Sequence, residues 1–187
     1  LIALAAVAAT GAAFAQSSVT LYGVADAAIT KTNNGGETML SSSSSLNNGT
    51  SRWGVRGVED LGGGLKASFN FEGGLSLNDG AANLSGGQMF SRAANLGLSG
   101  GFGSILVGRA LTPSFHGVAA YELTGTANYS ALAAQFNFAG AGSRDSSLIA
   151  YTTPNFGGIT ASIGTVLKGN DASAAADLQS KMDFNVI

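Results

Sequence analysis

From Ser17 onward, polar and apolar residues alternate with a period of two, and turn-forming residues interrupt the alternation at intervals. Such a pattern places successive side chains on opposite faces of a β-strand, one face polar and one apolar. The clearest segment is 65–72, where Leu65, Ala67, Phe69 and Phe71 point one way and Lys66, Ser68, Asn70 and Glu72 the other. Val19, Leu21, Ala25, Ala27 and Ile29 share a face, opposed by Thr20, Tyr22, Asp26 and Thr30. Trp53 and Val55 oppose Arg52 and Arg56, while Ile159, Ala161 and Ile163 oppose Thr160, Ser162 and Gly164. Less regular strands are predicted near 88–98, 103–110, 147–153 and 180–187, which brings the total to about eight. Several reach the ~9–11 residues that a tilted strand needs to cross a bilayer.

The connections fall into two sizes that alternate along the chain. Glu59-Asp60-Leu61-Gly62-Gly63, Gly100-Gly101-Phe102 and Pro154-Asn155-Phe156-Gly157 are tight turns rich in Gly, Asp and Pro. Between them lie the polar stretches 31–50, 77–87, 111–146 and 169–179. Short turns at one end and long loops at the other are the pattern of outer-membrane barrels. Closure follows from the solvent, because an open sheet edge in lipid leaves N–H and C=O groups unpaired. The serine run 41–45 and the Asn47-Asn48-Gly49 that follows lie within one such loop, and so read as external loop rather than as an interdomain linker.

Residues 1–15, LIALAAVAATGAAFA, are uncharged and apolar and end on small residues at Ala13 and Ala15. This is the pattern of a secretory signal peptide with Gln16 as the mature N-terminus; its basic start is missing, so the sequence is expected to begin inside its reading frame. The protein is expected to be exported. Composition supports that reading: charged residues make up 11% of the chain against the ~25% of a typical soluble domain. The net charge of −2 supplies no basic field for nucleic acid, and the absence of cysteine removes disulfides, zinc–thiolate sites and a thiol nucleophile. No phosphate-binding Gly-x-x-x-x-Gly-Lys loop or metal-ligand cluster occurs, so no catalytic residue, metal or cofactor is assigned. His116, a lone loop histidine, reads as a solvated residue, and Glu59-Asp60 as part of a short turn in which Asp bonds backbone N–H groups.

Four blocks carry a family resemblance. Ser18-Val19-Thr20-Leu21-Tyr22-Gly23-Val24-Ala25-Asp26-Ala27 resembles the first strand of the Gram-negative general diffusion porins, in particular their beta-proteobacterial branch. Ser51-Arg52-Trp53-Gly54-Val55-Arg56-Gly57-Val58-Glu59-Asp60-Leu61-Gly62-Gly63-Gly64-Leu65-Lys66-Ala67 resembles that branch's second strand, turn and third strand. Leu98-Ser99-Gly100-Gly101-Phe102-Gly103 with Gly108-Arg109, and Tyr151-Thr152-Thr153-Pro154-Asn155-Phe156-Gly157-Gly158, continue the match in order. The resemblance implies an all-β, transmembrane antiparallel barrel of sixteen strands, usually a homotrimer, set in the outer membrane among lipid and lipopolysaccharide. Its third external loop, here about 111–146, would fold inward and narrow a water-filled channel for small anions and hydrophilic solutes. With about eight strands, and Ile187 where the family ends on an aromatic, residues 16–187 are expected to be the N-terminal half of such a barrel.

The arginines at 52, 56, 92, 109 and 144 bear on the pore. A charged side chain facing lipid at mid-depth costs ~2–4 kcal/mol, so these residues should face the lumen or an interface. By motif position, Arg52, Arg92 and Arg144 resemble the basic cluster at the constriction, and Arg56 is Arg or Lys in similar sequences. Arg109 is left between the lumen and a surface or lipopolysaccharide contact. Glu122 falls where the family often carries an acidic residue on the inward loop, opposite the arginines. Such a ring of guanidinium groups favours anions. The competing reading is a small eight-stranded outer-membrane barrel that serves as anchor or adhesin, although its filled interior leaves no room for a long inward loop.

Overall fold

The computed structural model describes residues 18–31, 36–83, 87–138, 142–167 and 182–187. The expected signal segment at 1–15 and the expected loop at 169–179 lie outside these residues. In chain order the elements are β1 (Ser18–Val24), β2 (Ala28–Lys31), β3 (Thr38–Ser41), β4 (Arg52–Gly62), β5 (Leu65–Leu75), β6 (Ala82–Asn83), β7 (Ala93–Gly100) and β8 (Gly103–Leu111). They continue with α1 (Pro113–Ala120), α2 (Ala131–Phe138), β9 (Arg144–Thr152), β10 (Ala161–Val166) and β11 (Met182–Val186).

One antiparallel sheet runs β1-β4-β5-β7-β8-β9-β10-β11, each strand beside its successor, with β6 paired to β5 and β2–β3 forming a separate hairpin. Its eight successive strands correspond to the eight that alternation predicts. The β4–β5, β7–β8 and β9–β10 connections lie at one end of the sheet, and the long connections at the other. Asp60 closes the first short turn by accepting from the Gly62 N–H at 2.9 Å. Asn155 does the same for Gly158 at 2.7 Å.

The ladder registers sort the side chains cleanly. Leu21 lies opposite Val55, Val55 opposite Phe71, Phe71 opposite Ala94 and Leu96 opposite Val107, so one face is apolar from strand to strand. The other face carries Thr20, Arg56, Asn70 and Asn95 in register. Most of the apolar face has no protein against it among the described residues: Leu21, Leu96 and Phe184 are 73%, 57% and 74% exposed, while Phe90 covers Trp53 and Phe71 with ring centroids 6.0 and 5.4 Å away. The buried apolar cluster of Ala110, Leu148 and Val166, with Leu106 and Ala150 packed on it, belongs to the polar side of β8–β10. There the 111–146 segment covers it. Gly164 permits this, because a Cβ in its place would sit 3.1 Å from Pro113 Cγ and 3.0 Å from Leu148 Cδ1. Phe115 of α1 meets Phe136 of α2 edge-on, with ring centroids 5.6 Å apart.

Three segments differ from the alternation reading, each for a hydrogen-bonding reason. The first strand breaks after Val24 because the Asp26 carboxylate accepts from Asn47 Nδ2 (2.9 Å) and the Gly49 N–H (2.7 Å), turning the chain into a local knot. The stretch 31–50 is correspondingly not plain loop: it contains the end of β2 and all of β3, and Ser41 and Ser42 of the serine run are buried, with Ser41 Oγ donating to a nearly inaccessible Asn47 at 2.6 Å. The strand expected near 88–98 begins only at Ala93, since the Ser91 and Arg92 carbonyls accept from arginine side chains instead of a neighbouring strand.

Between the two helices the 111–146 segment is closed by Glu122. Its carboxylate accepts from the Thr126 N–H (2.6 Å), the Thr124 N–H and hydroxyl (2.8 Å each) and the Ser130 hydroxyl (2.9 Å). The Thr126 N–H foremost, against partial desolvation and together with Thr124 and Ser130, holds this carboxyl below the ordinary glutamate range. A depressed folded-state pKa means that the turn keeps its full stabilisation above the ordinary value of ~4.3 and loses it as pH falls through the lower folded value.

Two outcomes follow from this architecture. Hydrogen-exchange protection of the Thr126 amide should persist above the ordinary glutamate range, decline in stronger acid, and be lost at every pH in Glu122→Ala; equal protection in both proteins would contradict the closure. Because β1 and β11 each pair on one side only among the described residues, a chain limited to residues 1–187 should not yield a heat-resistant, protease-protected barrel in liposomes. Recovery of such a barrel would instead favour closure with eight strands.

Candidate functional site: an arginine cluster on the polar face

The polar face is built around one carboxylate. Arg52 and Arg56 leave β4 on the same side as Asn70 and Glu72 of β5, because the register sets Arg56 against Asn70 and Gly54 against Glu72. Across Gly54 from the other side comes Tyr22. A Cβ at residue 54 would lie 2.7 Å from Tyr22 Cζ and 2.7 Å from the Phe71 carbonyl, so only glycine lets the phenol ring lie over the strand. The Tyr22 hydroxyl then sits 2.8 Å from Glu72 Oε2 and 2.9 Å from Asn70 Oδ1, and directs its single proton to either acceptor. The Arg56 guanidinium stands 5.0 Å over the same ring, within cation–π range.

Glu72 is shared unequally between two arginines. Arg92 Nε donates to Oε1 at 2.6 Å, a charge-assisted hydrogen bond. Arg52 Nε lies 3.6 Å from Oε2, an ion pair without a hydrogen bond, and Arg52 Nη1 donates instead to the Thr50 carbonyl at 2.9 Å. Arg144, from the start of β9, donates its Nε to the Arg92 carbonyl at 3.1 Å. Arg109 donates to the Ser91 carbonyl (2.6 Å) and to Ser146 Oγ (2.9 Å). Arg92, Arg109 and Arg144 thereby line one cavity of about 260 Å³, with Thr50, Ser91 and Ser143.

The structure thus brings Arg52, Arg92 and Arg144 together and places Arg56 two strand repeats along β4 on the same face. Arg109 joins them, although the ladder sets it opposite outward-facing Ala94; a bulge between Gly108 and Ala110 falls at this point. Glu122 is not joined to an arginine by an ion pair among the described residues, and its oxygens are engaged by its own segment. His116 stands on α1 with part of its side chain exposed; partial desolvation and then the positive Arg144 hold its imidazole pKa below the usual value. Among the described residues no group of three or more His, Asp or Glu is placed to hold a metal ion.

One contributor escaped the sequence reading. Glu72 was visible as a polar position of β5, yet nothing in a single strand tells which residues of β4 it faces; that requires the cross-strand register. Arg109, left between lumen and surface by the sequence, joins the cluster where the bulge falls.

The segment 111–146 crosses this face. α1 lies over β10 and β11, where a Cβ on Gly117 would stand 3.1 Å from Asn185 Cβ. Beyond α1, the Asn128 N–H donates to the Asn48 carbonyl (3.1 Å), Asn128 Nδ2 to the Ser44 carbonyl (3.1 Å) and the Tyr129 hydroxyl to Asn48 Oδ1 (3.1 Å). The segment therefore spans from the β10–β11 side to the connection that precedes β4.

Comparison with known proteins agrees with this geometry. The family model for Gram-negative porins matches residues 2–186. Outer membrane porin protein 32 of Delftia acidovorans is 40% identical over 185 residues, which cover 95% of this chain and 52% of that protein. An outer membrane porin protein of Bordetella pertussis is 32% identical over 182 residues, covering 89% and 47%. Among solved structures, the anion-selective porin from Comamonas acidovorans superposes with a TM-score of 0.61 at 33% identity, over 81% of this chain and 47% of that one. The chain spans about half the length of the relatives it matches. An antiparallel sheet with one apolar and one polar, arginine-bearing face, a crossing loop and these relatives lead to one conclusion: the chain belongs to the Gram-negative porin family of the outer membrane.

Proposed function

We propose that this chain forms part of the wall and the constriction of a water-filled channel through which small hydrophilic solutes and ions diffuse passively, with a preference for anions. The observation that carries the proposal is the concentration of Arg52, Arg56, Arg92, Arg109 and Arg144 on or beside the face that the 111–146 segment crosses. A guanidinium keeps its charge in a narrow aqueous passage, and several of them lower the barrier for anions while raising it for cations. Glu72 offsets part of that charge from within the cluster, and Glu122 adds a weaker negative contribution from the crossing loop. The structural relative's description as anion-selective supports the same sign of preference.

The apolar face supports a setting in lipid, since side chains as exposed as Leu21 and Phe184 need an apolar neighbour. In this reading the tight turns face the periplasm, the long loops face outward among lipopolysaccharide, and the whole protein is a homotrimer. Cross-linking in outer-membrane vesicles should accordingly give a trimer band; a monomer alone would count against that assembly. The role is that of a channel rather than an enzyme, in keeping with the porins it is similar to.

The deciding experiment is the reversal potential of the whole protein, as its gene encodes it, in a planar bilayer under a potassium chloride gradient. Anions should be preferred, and the preference should weaken with salt as the screening length falls from ~10 Å at 0.1 M to ~3 Å at 1 M. Neutral replacement of Arg52, Arg92 or Arg144 should reduce it, and replacement of two should reduce it further. Glu72→Gln should sharpen it strongly and Glu122→Gln slightly. Cation preference in the unmodified protein, or no response to joint removal of Arg52 and Arg92, would refute the assignment.

A further inference from the structure

The crossing segment is held at its two ends by different chemistry. At the Asn128 end every contact named above is neutral and joins one loop to another. At the α1 end the partner is the wall itself. Asp183 of β11 is only 8% exposed, and its Oδ1 accepts from the Ser114 N–H at 2.5 Å while its Oδ2 accepts from the Ser114 hydroxyl at 2.6 Å. Asn185, two residues on and on the same face, donates its Nδ2 to the Pro113 carbonyl. Register places both residues inward, Asp183 opposite Gly164 and Asn185 opposite Ser162.

We propose that Asp183 is a positioning residue of the channel: it seats the first turn of α1 on the β10–β11 wall and thereby fixes how far the 111–146 segment projects across the passage. The proposal rests on the channel reading above. Its chemistry is specific to this spot. The Ser114 N–H belongs to the first turn of α1, where backbone donors have no partner inside the helix, and a carboxylate is favoured there by the positive end of the helix dipole. The cap is shared: the Thr112 hydroxyl accepts from the Phe115 N–H at 3.3 Å, and Asp183 takes the donor before it. The helix can approach closely because Gly164 and Gly117 present no side chains where Pro113 and Asn185 pack. Charge-assisted bonds to a partly enclosed carboxylate are roughly twice as strong as neutral ones, so this end is the stiffer of the two tethers. The base of α1 is also tied to the arginine region, since the Thr112 N–H donates to the carbonyl of Ser143, the neighbour of Arg144.

Single-channel recording of the whole protein, as encoded, tests the seat. Asp183→Ala and Ser114→Ala should both loosen the segment, which reads out as brief transitions between conductance levels roughly tenfold more frequent than in the unmodified channel. Ser114→Ala changes no charge, so it should leave the reversal potential where it was. The sequence contains no cysteine, so a Ser114→Cys and Asp183→Cys pair would be the only thiols within it, and oxidation of that pair should restore the steady current while reduction releases it again. Steady currents in both single variants would overturn the proposal. So would a shift of reversal potential in Asp183→Ala unaccompanied by added transitions, which would make Asp183 a wall charge only. Absence of any conductance in the unmodified protein would instead refute the channel reading on which the proposal stands.

Discussion

In the hydrocarbon interior of a bilayer an unpaired backbone N–H or C=O costs several kcal/mol, and no water is present to relieve it. The remaining features of this chain follow from that constraint. Strands can satisfy it only through their neighbours, so the main sheet is an unbroken antiparallel series β1-β4-β5-β7-β8-β9-β10-β11. Once the backbone is committed, period-two geometry divides the side chains between two solvents. Leu21, Val55, Phe71, Ala94 and Val107 fall on one side, and Thr20, Arg56, Asn70 and Asn95 on the other. The division also explains why this protein has so small a buried apolar core. Its apolar surface is turned outward, and the buried cluster around Leu148 and Val166 exists because a loop lies over it.

That same division determines what the polar face can do. Arginines excluded from lipid gather on the inner side, and Glu72 keeps them in place without cancelling them. The two contacts to this carboxylate differ in kind: the hydrogen bond from Arg92 is short, whereas Arg52 stands at 3.6 Å and lends a donor to Thr50. Tyr22, lying over Gly54, supplies a second hydrogen-bond donor to the Glu72–Asn70 pair and a π-face for Arg56. The result is a cluster of arginines oriented by one carboxylate and by backbone carbonyls and hydroxyls.

Much of this was legible from residue order. Alternation in 65–72 and 19–24, together with the glycine-rich turns at 62–64 and 100–103, was enough to give the strands, their count and the sorting of loops by length. The grouping of Arg52, Arg92 and Arg144 followed from motif position. What remained hidden depended on partners distant in sequence. Asp26 ends β1 because Asn47 and Gly49 come to it, and Ser91 and Arg92 stay out of β7 because Arg109 and Arg144 use their carbonyls. Glu122 shows the converse case: its position suggested an acidic wall, and its hydrogen bonds show a carboxylate that first of all closes its own turn.

The central claim is that one face of the sheet meets water and the other meets lipid. Single cysteine substitutions at positions 53, 55, 56, 58 and 66–71 of the whole protein, leaving out the enclosed Gly54 and Gly57, test it most directly when challenged in outer-membrane vesicles with a membrane-impermeant charged thiol reagent. The expected outcome follows the two-residue rhythm, with reaction at 56, 58, 66, 68 and 70 and protection at 53, 55, 67, 69 and 71. Uniform labelling, or reaction at the second set in place of the first, would contradict it.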